Sequence, residues 1–161
     1  MTPLAPHLTA FLRERLPRER GASPHTCDSY AYAFQLLLTF AAKQLRTQPS
    51  ALMLEQLDVT MVLAFLEDLE STRGNSARTR NVRLAAIKAL ARFIEYRVPS
   101  CIEQVRSLLA IPSKKTDERL VGYLTRDEMQ AVLDAPDPHR RDGVRDQAML
   151  HLAFAAGLRV S

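Results

Sequence analysis

Apolar residues recur along most of the chain at the three- and four-residue spacing of amphipathic helices. Ser23 suits a helix N-cap with Pro24 at the first helical position, and Pro17 and Pro99 are expected to end the helices before them. The pattern therefore predicts an all-helical chain. The helices expected in the first 110 residues are one over 4–16, one from Ser23 to the turn "RTQPS", one capped by Asp58 or Thr60, one over about 77–96 and one over 102–109.

A polar stretch, "IPSKKTDERLVGY", interrupts this pattern. Beyond it, Thr125 and Glu128 have the spacing of a capping box, and a last helix from about Val144 to Ala156 meets Gly157, a typical C-terminal glycine. The expected organisation is a helical domain over 1–110, a linker over 111–122 and two further helices within 123–161. The last helix is apolar on most of its surface, so we expect it to be buried on several sides.

Composition excludes several classes of protein. The 161 residues are 47% hydrophobic, which is enough for a globular core without metals or disulfides. Cys27 and Cys101 form no CxxC pair, and the four histidines lack metal-ligand spacing, so we expect a reducing cytoplasmic setting, no cofactor and no metal. The apolar runs are too short to cross a bilayer and the N-terminus lacks the order of a secretion signal, so no membrane partner is expected.

The positive charge is concentrated in one segment. Residues 73–97 carry seven Lys or Arg and one Glu, a sum of +6, whereas the whole chain has a net charge of +4. The rest of the chain therefore sums to −2. Residues 47–72 contain five acidic residues and no basic ones. The basic character thus belongs to the predicted fourth helix.

On that helix, predicted over about 77–96 and labelled α4, a row of residues falls on one side at helical spacing. We call this row the α4 stripe: Arg78, Asn81, Ala85, Lys88 and Arg92. Cationic side chains reach phosphate oxygens, an Asn amide can pair with an adenine edge, and a small alanine permits close approach, so the row suits a DNA major groove. A solvated charged face is the alternative, although such faces usually mix charges of both signs.

Further candidate DNA contacts surround the stripe. Ser76 and Thr79 lie at the entrance of the helix, where backbone N–H groups can bind phosphate, and Arg80 and Arg83 lie on its flank. The first turns of the second helix contribute Ser23, His25 and Thr26, with Ser29 beside them. For this group simple capping is an equally weighted interpretation, and both remain open.

Two stretches together resemble the tyrosine recombinases, the phage-integrase family. "SPHTCDSYAYAFQLLLTFA" and "LDVTMVLAFLEDLESTRGNSARTRNVRLAAIKALARFIEY" are similar to the core-binding domain, and "RDQAMLHLAFAAGLRVS" is similar to the start of the catalytic domain. The resemblance implies a SAM-like core-binding bundle of four to five helices, then a linker and two helices of an incomplete catalytic domain. It also implies double-stranded DNA as the partner, with Lys114 and Lys115 of the linker following its backbone.

The resemblance assigns Arg159, in "GLRVS", to the first catalytic arginine, which contacts the scissile phosphate. A guanidinium offers two parallel donors to the developing negative charge. None of the four tyrosines matches the family's nucleophile, so the chain is expected to bind DNA without cutting it, as a truncated recombinase. A stand-alone DNA-binding module and a helical protein–protein adaptor are the alternatives. We expect no small-molecule substrate, and assembly of several copies on DNA stays open.

Overall fold

The computed structural model describes residues 1–116 and 122–158. Within these ranges the regular structure is helical, apart from an antiparallel bridge between Pro3 and Met53. The expected all-α class is therefore confirmed. In chain order the helices are α1 (Leu4–Ala10), a π-helical continuation (Phe11–Glu19), α2 (Pro24–Gln44), α3 (Val59–Ser71), α4 (Ala77–Glu95), α5 (Ile102–Ala110), α6 (Arg126–Asp134) and α7 (Arg141–Ala156).

The chain divides into two compact units, Met1–Asp117 and Glu118–Ser161. The first unit contains a continuous hydrophobic core to which α1 to α5 all contribute. Helix α4 packs against α2, α3 and α5, because its apolar residues, such as Leu84, Ile87 and Leu90, occupy one broad side and are buried. The core thus fixes which side of α4 remains in solvent.

Three aromatic rings meet near the centre of this core. The Phe11 ring lies 5.9 Å from Phe34 in an edge-on arrangement and 5.5 Å from Phe93, measured between ring centroids. Phe11 therefore joins the first helical segment to both α2 and α4. Edge-on and tilted ring pairs add stabilisation beyond the apolar area that they bury.

The expected end of the first helix at Pro17 is wrong. The helical path continues to Glu19 with Pro17 inside it, as a π-helical stretch rather than an α-helix. Its end is marked by the bond from the Arg20 N–H to the Arg15 carbonyl, 3.0 Å long, which spans five residues. Because Pro17 has no N–H group, it cannot donate the hydrogen bond that an α-helix needs at this position. The wider turns of a π-helix accommodate this missing hydrogen bond.

The predicted starts of α2 and α3 are confirmed in detail, whereas α7 begins at Arg141, three residues before its predicted start. The side chain of Ser23 accepts a hydrogen bond from the Thr26 N–H with Pro24 at the first helical position. Asp58, rather than Thr60, caps α3 by accepting from the Met61 N–H at 2.7 Å. These interactions satisfy N–H groups that have no partner within their own helices.

The second unit begins with the predicted capping box. The Thr125 hydroxyl accepts from the Glu128 N–H, while the Glu128 carboxylate accepts from the Thr125 N–H at 2.8 Å. This backbone donor lowers the pKa of Glu128, so the contribution of the capping box to stability is present near neutral pH and declines as acid protonates the carboxylate. Gly157 ends α7 in the left-handed conformation, with φ of 60°, as expected.

The expected burial of α7 is not met within the described residues. Met149, Leu152 and Phe154 are exposed by 57%, 62% and 58%. These three apolar side chains of α7 therefore remain largely exposed in this part of the chain.

Gly143, in the first turn of α7, lies close to the backbone of the turn that precedes this helix. A Cβ atom at this position would lie 1.9 Å from the carbonyl oxygen of Asp137. Because backbone would have to move, we expect Gly143→Ala to destabilise the second unit by about 1–3 kcal/mol, as overpacking does. Faster hydrogen exchange of the α6 and α7 amides would report the effect. Gly122→Ala is the matched control, since its added Cβ meets no atom within 4 Å; equal exchange in the two variants would contradict the expectation.

Candidate nucleic-acid interface

The α4 stripe lies on the side of the helix that the core leaves in solvent. Arg78, Ala85 and Arg92 are exposed, and Asn81 and Lys88 are partly exposed. At 1.5 Å per residue, the distance along the helix from Arg78 to Arg92 is about 21 Å. The prediction from the sequence pattern that these five residues share the side of the helix opposite the core is therefore confirmed. Val82, 42% exposed, lies next to the stripe and adds exposed apolar surface that the charge pattern did not indicate.

Helices α2 and α4 begin with the same arrangement of hydroxyl groups. The Ser23 and Thr26 hydroxyls lie 3.0 Å apart, and those of Ser76 and Thr79 lie 3.2 Å apart. In each helix the serine also accepts from the threonine N–H at 3.3 Å. The two serines therefore cap their own helices, each with its threonine as the hydrogen-bond partner, and His25 is exposed in the first turn of α2.

Arg83 connects the two helices. Its Nη1 donates to the Ser29 carbonyl at 3.1 Å, and its guanidinium lies 4.9 Å from the centre of the Tyr32 ring. Both Arg83 and Ser29 lie six or fewer residues after the first residue of their helices. The two helix N-termini are therefore each within about 9 Å, along the helix axis, of this contact.

Arg80 is directed into the protein, whereas Arg78 and Arg92 of the same helix are exposed. It is 6% exposed, and its Nε lies 3.5 Å from the Glu70 carboxylate. Its Nη1 lies 3.5 Å from the Pro112 carbonyl. A buried guanidinium with a carboxylate partner has a structural role. We therefore do not include Arg80 in the proposed contact surface, although the sequence alone made it a candidate.

Asn81 uses both ends of its amide on the segment that follows α5. Its Nδ2 donates to the Lys114 carbonyl at 2.7 Å, and its Oδ1 accepts from the Lys114 N–H at 2.9 Å. The ammonium group of Lys114 in turn contacts both carboxylate oxygens of Glu70, at 2.8 and 2.9 Å. In this structure the amide that was predicted to read an adenine is therefore occupied, whereas Lys115 is exposed.

Sequence reasoning missed the acidic and backbone partners of these side chains. Glu70 lies 44 residues from Lys114 and Ser29 lies 54 residues from Arg83, so no local spacing pattern links them. Arg159 lies outside the described residues. In the described part of the chain, no group of three or more side chains suited to metal binding is found, and no helix is long and apolar enough to cross a membrane.

The basic residues of α4 and the N-termini of α2 and α4 form a surface suited to an anionic partner. Arg78, Lys88 and Arg92 form no ion pair with an acidic side chain within residues 1–116 and 122–158. Two capped helix N-termini, which carry partial positive charge, lie near the same interhelical contact. The arrangement provides binding groups for phosphate.

The fold is a helical bundle with a basic surface on one helix, and comparison with known proteins identifies its family. Residues 8–97 match the family model described as the phage integrase, N-terminal SAM-like domain. The chain belongs to the phage integrase family, the tyrosine recombinases. The SAM-like fold expected from the sequence is thus confirmed.

Curated relatives agree with this family. The chain is 46% identical to a Sinorhizobium fredii protein named integrase/recombinase y4rC, over 98% of this chain and 48% of the relative. It is 40% identical to integrase/recombinase y4rD of the same organism, over 98% and 56%. It is also 31% identical to tyrosine recombinase XerC of Pelobacter propionicus, over 100% and 50%. The chain therefore spans about half the length of these relatives. No solved structure matches it significantly.

Proposed function

We propose that these residues form the DNA-binding portion of a site-specific tyrosine recombinase, and that Arg78, Ala85, Lys88 and Arg92 of the α4 stripe contact double-stranded DNA. The observation that carries the proposal is the row of Arg78, Lys88 and Arg92 on the solvent side of α4, in a chain of the phage integrase family. Recombinases act on DNA, so a basic surface on their helical N-terminal domain has an obvious partner.

In this proposal α4 lies in or across the major groove. Arg78 and Arg92, about 21 Å apart along the helix, reach phosphates on either side, and Lys88 reaches one between them. Ala85 and Val82 present small apolar surface toward the bases, where a thymine methyl group is a suitable contact. The first turns of α2 and α4, with Ser23, His25, Thr26, Ser76 and Thr79, approach neighbouring phosphates.

Binding, rather than strand cleavage, is the activity proposed for these 161 residues. Arg159 matches the family's first catalytic arginine, whose guanidinium would hold the scissile phosphate in a complete active site. None of the tyrosines present matches the nucleophile. Incubation with supercoiled plasmid is therefore expected to leave the DNA uncut.

The test is a titration of fluorescently labelled duplex DNA with the chain at rising salt. Three phosphate contacts would give a slope of about −2.7 in a plot of log affinity against log salt, hence about 40-fold weaker binding at 200 mM than at 50 mM salt. Additional contacts would steepen the slope. Absence of binding at 50 mM salt would refute the proposal and favour a protein-binding role for the same surface.

A further inference from the structure

A set of polar contacts holds residues Pro112 to Lys114 against the N-terminal half of α4. We call this set the linker clasp: Glu70 of α3, Arg80 and Asn81 of α4, and the backbone and side chain of Lys114 with the Pro112 carbonyl. All of these residues belong to the first compact unit. The clasp therefore lies within one folded body.

Within the clasp, the Asn81 side chain pairs with the peptide backbone. Asn81 pairs its amide with the N–H and the carbonyl of one residue, Lys114, at 2.9 and 2.7 Å. This is the donor and acceptor pairing that an asparagine can also make with an adenine edge. One amide cannot serve both partners at once, so the backbone of Lys114 and a DNA base would compete for Asn81.

The clasp is also anchored on its inner side. Ile111, just before it, is buried in the hydrophobic core, and Arg80 is nine-tenths buried. Glu70 bridges the Arg80 guanidinium and the Lys114 ammonium group. Charge-assisted hydrogen bonds of this kind are stronger than neutral ones. The Glu70 carboxylate also offsets the positive charge of Lys114 on this surface.

We propose that Asn81 and Glu70 are positioning residues that fix the chain at Lys114, and that the Asn81 amide recognises this backbone rather than an adenine. The linker then begins after Lys114 rather than at residue 111, because residues 111–114 are part of the helical unit. In the recombinase function proposed above, the departure point of the linker is set beside the α4 stripe. The clasp itself does not require DNA, so it can be tested independently of that function.

The experiment measures hydrogen exchange of the Lys114 amide in the intact chain without DNA. We expect Asn81→Ala to speed this exchange by about 10-fold, since one hydrogen bond to the amide is lost. Asn81→Asp keeps an acceptor oxygen and should retain part of the protection. Amides in the middle of α4 should be unchanged, which shows that the variants are folded.

Glu70→Gln supplies a second variant that leaves Asn81 in place. We expect it to speed tryptic cleavage after Lys114, because the side chain of Lys114 is released from its carboxylate. The matched controls are Glu67→Gln, an exposed change of the same charge on the same helix, and Asn75→Ala, and both should behave as the unchanged chain. Equal exchange of the Lys114 amide in Asn81→Ala and the unchanged chain would overturn the proposal.

An experiment with DNA distinguishes the two partners considered for Asn81, the Lys114 backbone and a DNA base. Selection from a pool of randomised duplexes is performed with the unchanged chain and with Asn81→Ala. The proposal expects the same preferred bases in both selections. Loss of preference for adenine at a single position would instead assign Asn81 to base recognition and overturn the proposed role. If neither protein binds DNA, the recombinase function fails, while the exchange experiment still decides on the clasp.

Discussion

Replacing Arg78, Lys88 and Arg92 together by alanine is expected to weaken binding to duplex DNA on the order of 100-fold at low salt. Each cation that neutralises a phosphate releases counterions, so losing three should also flatten the slope of log affinity against log salt by about 2.7. The side chains are exposed or partly exposed and lie outside the core. The unfolding transition should therefore stay within about 0.5 kcal/mol per substitution of the unchanged chain.

A control with the same loss of charge separates this surface from a general electrostatic effect. Arg13, Lys43 and Arg106 are exposed residues of the first unit that lie on other helical segments. Their triple alanine variant has the same net charge as the stripe variant. We expect it to retain most of the affinity and the steep salt dependence. If both variants lose affinity equally, the stripe is not the contact surface, and binding depends only on net charge.

Features that depend on neighbouring residues could be predicted from the sequence. The caps at Ser23 and Thr125 need only a partner three residues later, and the solvent side of α4 follows from the spacing of its apolar residues. This is why the helix starts and the exposed position of Arg78 and Arg92 agree with the structure.

Features that depend on distant residues could not be predicted. A helical pattern shows that Arg80 and Asn81 are polar positions near the start of α4, but it does not show what packs beside them. That environment comes from Glu70 and from the chain after α5, up to 33 residues away from Asn81. The path through Pro17 was missed for a different reason, because the rule that proline ends a helix assumes α-helical geometry.

The largest expected effect on stability comes from Phe11, whose ring joins the first helical segment to α2 and α4. Phe11 is 1% exposed and contacts the rings of Phe34 and Phe93. Phe11→Ala removes apolar burial and leaves a cavity, at a cost of about 3–5 kcal/mol. Domains of this size are stable by about 5–15 kcal/mol, so much of the stability would be lost. Urea unfolding followed by circular dichroism measures the change.

The same substitution at Phe154, on the exposed side of α7, is the matched control and should change stability by less than about 0.5 kcal/mol. A loss below about 1 kcal/mol in Phe11→Ala would contradict the packing described here. Phe93, which packs against Phe11, lies on α4, the helix that also carries the side chains proposed to contact DNA. DNA binding by Phe11→Ala should therefore disappear over the same range of urea concentration as its helical signal, whereas the stripe variant should lose binding while fully folded.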